Sequence, residues 1–240
     1  MLGAPMGDSL SVYMQVYRNP RATFEALRSF RSFYRREPIT VVSDGGEDFS
    51  EICNAVGARF IHSKTTTTTQ RMTLPGVYEY LARIYAHCQA VDSKWVVLFE
   101  DDVRTVRTVR DFPLTDCAGP RFNIYHQNLT KVLVEKFGSM PFGYGMCGGS
   151  VFNRQVFIDC YEANRSLEPY VSLDERVSSW SDLPLTLLFQ INGRSYSVWS
   201  EVSEIFHPTH PIIRDAAFDH AYKYWYDKPF TVELLLAGEQ

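Results

Sequence analysis

The run Trp95-Val96-Val97-Leu98-Phe99 ends on three consecutive carboxylates, Glu100-Asp101-Asp102, and this stretch constrains the fold more tightly than any other. Five apolar residues, two of them valine, read as a strand buried on both faces, which belongs inside a parallel sheet. Three adjacent acids at its tip repel one another in a partly dry crevice, and a bound cation removes that repulsion. If the extended geometry continues, Glu100 and Asp102 share one side and Asp101 takes the other. The pair is then acid-x-acid, suited to a hard divalent ion that also holds phosphate oxygens. The competing reading is that Asp101 and Asp102 simply end the strand in a turn.

Strand and helix patterns alternate ahead of this run. Ser11 to Tyr17 alternates in β-rich residues and is punctuated by Arg18-Asn19-Pro20. Thr23 to Tyr34 carries Phe24, Leu27, Phe30, Phe33 and Tyr34 at helical spacing. Pro38 to Val42 reads as a strand stopped by Ser43-Asp44-Gly45-Gly46, Phe49 to Val56 as a short helix, and Ala58 to Ile61 as a strand. Pro75 to Ala90 reads as a longer helix with proline in its first turn. Such repetition predicts a mostly parallel sheet with helices on both faces, with ligands beyond the carboxyl ends of the strands. Arg18, Asp44 and Asp102 all fall at such ends, so three turns converge on one crevice.

The second half is less regular. Phe122 to Tyr125 and Tyr196 to Trp199 read as strands, and Asn153 to Asn164 and Asp182 to Ile191 as helices. The tail from Pro211 to Gln240 has no clear place in a core. Gly143-Tyr144-Gly145-Met146-Cys147-Gly148 has the letters of a dinucleotide fingerprint but follows no strand, and reads better as a loop whose backbone approaches a substrate. Gly149 to Phe152 then reads as a short strand.

At 240 residues with 45% hydrophobic and 22% charged, the chain can bury a full core. A net charge of −4 gives no electrostatic case for nucleic acid. Five widely spaced cysteines without a C-x-x-C pair argue for reduced thiols and against a zinc site. No apolar run reaches the about 18 residues a membrane span needs, and no export signal opens the chain. A cytoplasmic location is the expectation.

Among candidate catalytic residues, Asp182 opens a helical pattern as an N-cap, a position that also fixes a carboxylate as a general base. Asp174 and Glu175 are near enough in sequence to compete. His207 and His210 flank Pro208-Thr209; the i, i+3 spacing would place both on one metal in a helix, but the intervening proline argues against a regular helix there. One histidine joined to an acid-bound metal is the more economical functional reading, with an ordinary loop histidine as the alternative. Neither G-x-S-x-G nor a P-loop occurs.

The order of these passages resembles a nucleotide-sugar-dependent glycosyltransferase of the GT-A fold. The passages are Val16 to Pro20, Ile39 to Gly46, Val97 to Val103 with its E-D-D form of the D-x-D motif, and Gly148 to Arg154. The resemblance implies one α/β domain over residues 1–240, Rossmann-like, with a smaller mixed region on the acceptor side. Its nucleotide-sugar half would span 1–110, its acceptor-side half 111–210, and its tail 211–240. It also implies that Asp102 binds Mn²⁺ or Mg²⁺ and that His207 completes the coordination. Glu100 and Asp101 would contact the ribose or, through water, the metal. Arg18 and Asp44 would hold the nucleotide, and Asp182, or else Glu175, would deprotonate the acceptor. Ser181 departs from the pattern, since many relatives carry a second acid there. The activity implied is metal-dependent, inverting transfer from a nucleotide-diphosphate sugar, typically UDP-linked, to a hydroxyl of a glycan or other acceptor. A sugar nucleotidyltransferase and a non-catalytic carbohydrate-binding module are the alternatives.

Overall fold

A computed structural model describes residues 9–67, 73–120, 127–138, 146–171, 173, 182–205 and 215–221. In chain order, β1 (Leu10–Val16), α1 (Pro20–Phe33), β2 (Ile39–Asp44), α2 (Ser50–Val56), β3 (Arg59–Ser63), α3 (Leu74–Ala90) and β4 (Trp95–Phe99) make the alternating first half. There follow β5 (Val103–Thr105), β6 (Cys117–Gly119), α4 (Gln127–Phe137), β7 (Val151–Asn153), α5 (Arg154–Glu162) and α6 (Glu168–Val171). Then come α7 (Asp182–Ile191), β8 (Tyr196–Val198), β9 (Val202–Ile205) and β10 (Phe218–Ala221).

Seven strands form one sheet in the order β3-β2-β1-β4-β7-β6-β8. The first four are mutually parallel, β7 runs antiparallel to β4 and β6, and β8 is parallel to β6. The mostly parallel α/β sheet anticipated from the first hundred residues is therefore present. Its chain path steps outward from β1 to β3 and then returns to β4 on the other side of β1. The topological switch point, where such sheets bind ligands, lies between β1 and β4.

The period-2 alternation of the strands sorts their side chains into two cores. Tyr13, Val42, Val96, Leu98 and Phe152 face one side and pack with residues of α3, α5 and α7. Val12, Met14, Val41, Val97 and Phe99 face the other and pack with Ala26, Leu27 and Phe30 of α1 and Cys53 of α2. The apolar stripe of α1 is rotated from the one its aromatic spacing predicts. Its buried residues are Thr23, Ala26, Leu27 and Phe30, whereas Phe33 is exposed. The sheet takes Leu27 and Phe30 on a face shared with the small Thr23 and Ala26, which lets the helix approach closely and leaves Phe33 outside.

Three more strands form a second sheet, β5-β10-β9, with β10 antiparallel to β5 and parallel to β9. It packs through Val103, Val202 and Phe218 against the α1 side of the large sheet. Glu201 fastens its entry: its carboxylate accepts from Arg107 Nη1 at 2.6 Å and from the backbone N–H of Arg110 at 3.2 Å. The short strands β5, β9 and β10 escape the sequence reading. All five cysteines are free and buried. Among the described residues no helix is long and apolar enough to cross a membrane.

Candidate active site

The parallel register fixes which turns meet. Val16 lies opposite Ser43 on β2, and Met14 opposite Phe99 on β4, so the residues just past each strand end share one edge. Hydrogen bonds then tie the turns together. Glu47 N–H donates to Tyr17 O at 2.9 Å, and Asn19 Nδ2 donates to Asp101 Oδ2 at 3.3 Å. Asn19 precedes α1 in the left-handed region (φ 67°) and gives the helix no side-chain cap, which releases its amide toward the acids. Proline in the first turn of α1 compensates, because it lacks the N–H a cap would satisfy.

The acid triplet leaves the strand at once. Val103 N–H donates back to Glu100 O at 3.1 Å, closing a turn over Glu100 to Val103. The turn reading of these residues is thus correct, and it serves the other reading too. Asp101 is directed to Asn19, while Glu100 and Asp102 approach the same imidazole, that of His220 on β10. His220 Nε2 lies 3.3 Å from Asp102 Oδ1 and 3.9 Å from Glu100 Oε2. One donor atom from each of Glu100, Asp102 and His220 falls within 4.8 Å of the other two.

Burial sharpens the electrostatics. The side chains of Asp102 and His220 are 4% and 10% exposed. Asp102 Oδ1 is buried without a well-formed hydrogen bond among the described residues, a state that is costly for a carboxylate oxygen. Burial alone would depress the pKa of His220, but the Asp102 carboxylate and the Cys147 thiol together outweigh it and hold the imidazole well above its ordinary value. A divalent ion supplies the same positive charge to Asp102. Two carboxylates and one imidazole suit Mn²⁺ or Mg²⁺, with the nitrogen favouring Mn²⁺. The donor chemistry and the orphaned Asp102 oxygen therefore fit such an ion.

Two glycines make room for this arrangement. Gly148 N–H donates to Glu100 Oε1 at 3.1 Å. A Cβ at Gly148 would lie 2.7 Å from Val103 Cγ2 and 3.1 Å from His220 Nε2. Gly149 adopts φ +86°, a conformation glycine takes without strain. Behind the imidazole, Cys147 and Glu204 bring donor atoms within 4.8 Å of it.

The other residues singled out in the sequence are spread across the fold. Arg18 is exposed just past the end of β1, its guanidinium 4.8 Å from the centre of the Tyr17 ring. Asp44 is buried at 1% exposure, and its Oδ1 accepts from Thr67 N–H at 2.8 Å and from Arg83 Nη1 at 2.6 Å. Arg83 in turn reaches Glu79, Ser63 and Thr65, so Asp44 organises the turn after β3. Asp182 is the first residue of α7, one position inside the cap expected of it, and is half-buried. His207, Glu175, Asp174 and residues 121–126 lie outside the described residues. His220 is the histidine brought to the acid triplet, and the sequence reading missed it. Its local signal is only the four-residue strand Phe218-Asp219-His220-Ala221.

No family model matches the chain, and no curated protein sequence matches it. Solved structures do. The galactosyltransferase LgtC, solved with donor and acceptor sugar analogues, superposes with a TM-score of 0.50 at 14% identity, over 88% of this chain and 86% of its own. S. aureus TarS superposes with a TM-score of 0.48 at 13% identity, over 89% of this chain but 37% of its own. The second likeness is too loose to add to the first. At such identities the first bears on architecture alone. The chain has a GT-A-like glycosyltransferase fold.

Proposed function

We propose that this protein is a metal-dependent glycosyltransferase that moves a sugar from a nucleotide-diphosphate donor, UDP-linked in the simplest form, to an acceptor hydroxyl. One observation carries the reading: Glu100, Asp102 and His220 converge within 4.8 Å beside the switch point of a GT-A-like sheet. That is where a donor's phosphates would sit in this class of fold. LgtC, with the same fold, was solved with donor and acceptor sugar analogues, which supports the same kind of ligand here.

In this reading Glu100, Asp102 and His220 hold the ion, and Asp101 stays with Asn19 to fix the turn. The ion, when bound, offsets the charge that develops on the departing diphosphate. Asp182 accepts the proton of the acceptor hydroxyl while that oxygen bonds to the anomeric carbon. The bond to the diphosphate breaks, its electron pair leaves with the phosphate, and attack from the opposite face inverts the centre. Arg18 is an exposed cation at the crevice edge, available to phosphate oxygens.

Incubation with UDP-, GDP- and dTDP-sugars plus Mn²⁺ tests the proposal. Slow release of free sugar and nucleoside diphosphate supports it. Release of pyrophosphate points instead to a nucleotidyltransferase, and no turnover with any donor to a binding module. Asp102→Asn should abolish Mn²⁺-dependent donor binding in a folded protein. Asp182→Asn should keep donor binding and lower transfer by about 10²–10⁴-fold; normal transfer would remove Asp182 as the base.

A further inference from the structure

We infer that Glu204 is a positioning residue for the metal site, holding His220 through Nδ1 so that Nε2 presents its lone pair to the ion. The inference rests on the reading of Glu100, Asp102 and His220 as ligands and adds a residue to it. Its origin is the register of the small sheet. β9 and β10 are parallel, and His220 is paired with Glu204 directly across them. Paired residues share a face of the sheet, so the two side chains are neighbours by construction.

The distances follow that register. Glu204 Oε1 is 3.7 Å from His220 Nδ1, and Asp102 Oδ1 is 3.3 Å from Nε2 on the opposite edge of the ring. The Glu204 side chain is 4% exposed. A buried carboxylate is costly to desolvate and is retained where a specific partner answers it.

The chemistry of the ring supplies the reason for a carboxylate there. A neutral imidazole has one N–H and one bare nitrogen, and only the bare nitrogen ligates. For Nε2 to face the ion, the proton must sit on Nδ1. A carboxylate beside Nδ1 accepts that N–H, selects the tautomer, fixes the ring plane and makes Nε2 a stronger donor. The 3.7 Å separation is ion-pair range, longer than a hydrogen bond. Such contacts are often loose before the ligand arrives and tighten in the complex. Asp219, one residue away, pairs with Ser203 and Arg104 and projects from the other face, so it does not compete for the ring.

Titration calorimetry with Mn²⁺ alone, on the full chain, is the test. Glu204→Gln should weaken Mn²⁺ binding by about 10- to 100-fold, and Glu204→Asp should recover part of the loss. Both should melt near the parent temperature. His220→Ala and Asp102→Asn run alongside as ligand knockouts. If they lose Mn²⁺ while Glu204→Gln binds like the parent, the inference on Glu204 fails and the metal site stands. If the knockouts bind Mn²⁺ like the parent, the metal site itself fails. Should Glu204→Gln not fold, nitrogen NMR of the Mg²⁺-loaded parent decides. A proton on His220 Nδ1 supports the role, and a proton on Nε2 overturns it.

Discussion

Substituting Gly148 by alanine probes the proposed metal site without removing any donor. The new methyl would lie 3.1 Å from His220 Nε2, where ordinary contact begins at 3.4 Å. The shortfall of about 0.3 Å exceeds the roughly 0.2 Å within which metal–ligand distances must hold. The same methyl would sit 2.7 Å from Val103 Cγ2, a side chain with no exposure. Crowding of this kind costs about 1–3 kcal/mol, or a melting point lower by roughly 2–12 °C for a chain of this size. Gly148 is outside the left-handed region, so the alanine backbone is unstrained. The Gly148 N–H also holds Glu100, so two ligands are disturbed together. Mn²⁺ affinity, read by calorimetry or by paramagnetic resonance of the free ion, should fall at least about tenfold. Adding Val103→Ala should relieve the stability loss and leave the affinity low, because the contact with His220 persists. A folded Gly148→Ala protein that binds Mn²⁺ like the parent would refute the placement of His220 in the site.

Two further substitutions address buried polar groups at the two ends of the parallel strands. Arg83→Met should destabilise the protein by about 3–5 kcal/mol in urea unfolding, because it leaves the buried Asp44 charge without its guanidinium. Pairing it with Asp44→Asn should restore part of that, and a loss below about 1 kcal/mol would show the ion pair to be incidental. His87 tests a buried network at the opposite end of the strands. Ser93 donates to Ser11, whose hydroxyl lies 3.0 Å from His87 Nε2, and His87 Nδ1 lies 2.9 Å from Thr40 Oγ1. Burial pushes His87 down to about 4. The unfolded chain therefore binds a proton that the folded one refuses. Burial of the neutral ring therefore carries no penalty above about pH 6.5, and stability falls as pH drops toward 4. The total is about 3 kcal/mol, read as the difference between parent and His87→Gln stability curves. A flat difference curve would contradict the neutral ring.

The first hundred residues were legible because each element there is long enough to show its period and pairs with a near neighbour in sequence. Tyr13, Val42, Val96 and Leu98 announce one face of a parallel sheet, and Val12, Met14, Val41 and Val97 the other. The three acids were legible for a different reason: uncompensated like charge at the end of an apolar run demands a partner. The identity of that partner was not legible. β5, β9 and β10 are three or four residues long, too short for alternation to rise above chance, and β10 finds β5 more than a hundred residues earlier. His207 was the histidine chosen in the sequence, from the family resemblance, and it lies outside the described residues. His220 carries no local mark, and its pairing with Val103 on one side and Glu204 on the other is what brings it to the acids. The helix α1 shows the reverse limit. Its aromatic spacing announced a helix, but the sheet, through packing, decided which face went inward.

The small sheet stitches residues 103–105 to 202–205 and 218–221. A chain still emerging from the ribosome can lay down all four parallel strands and their covering helices long before residue 220 exists. In the proposed reading the site for the cation is therefore completed last, and a product stopped or clipped ahead of β10 would keep that scaffold but lack His220.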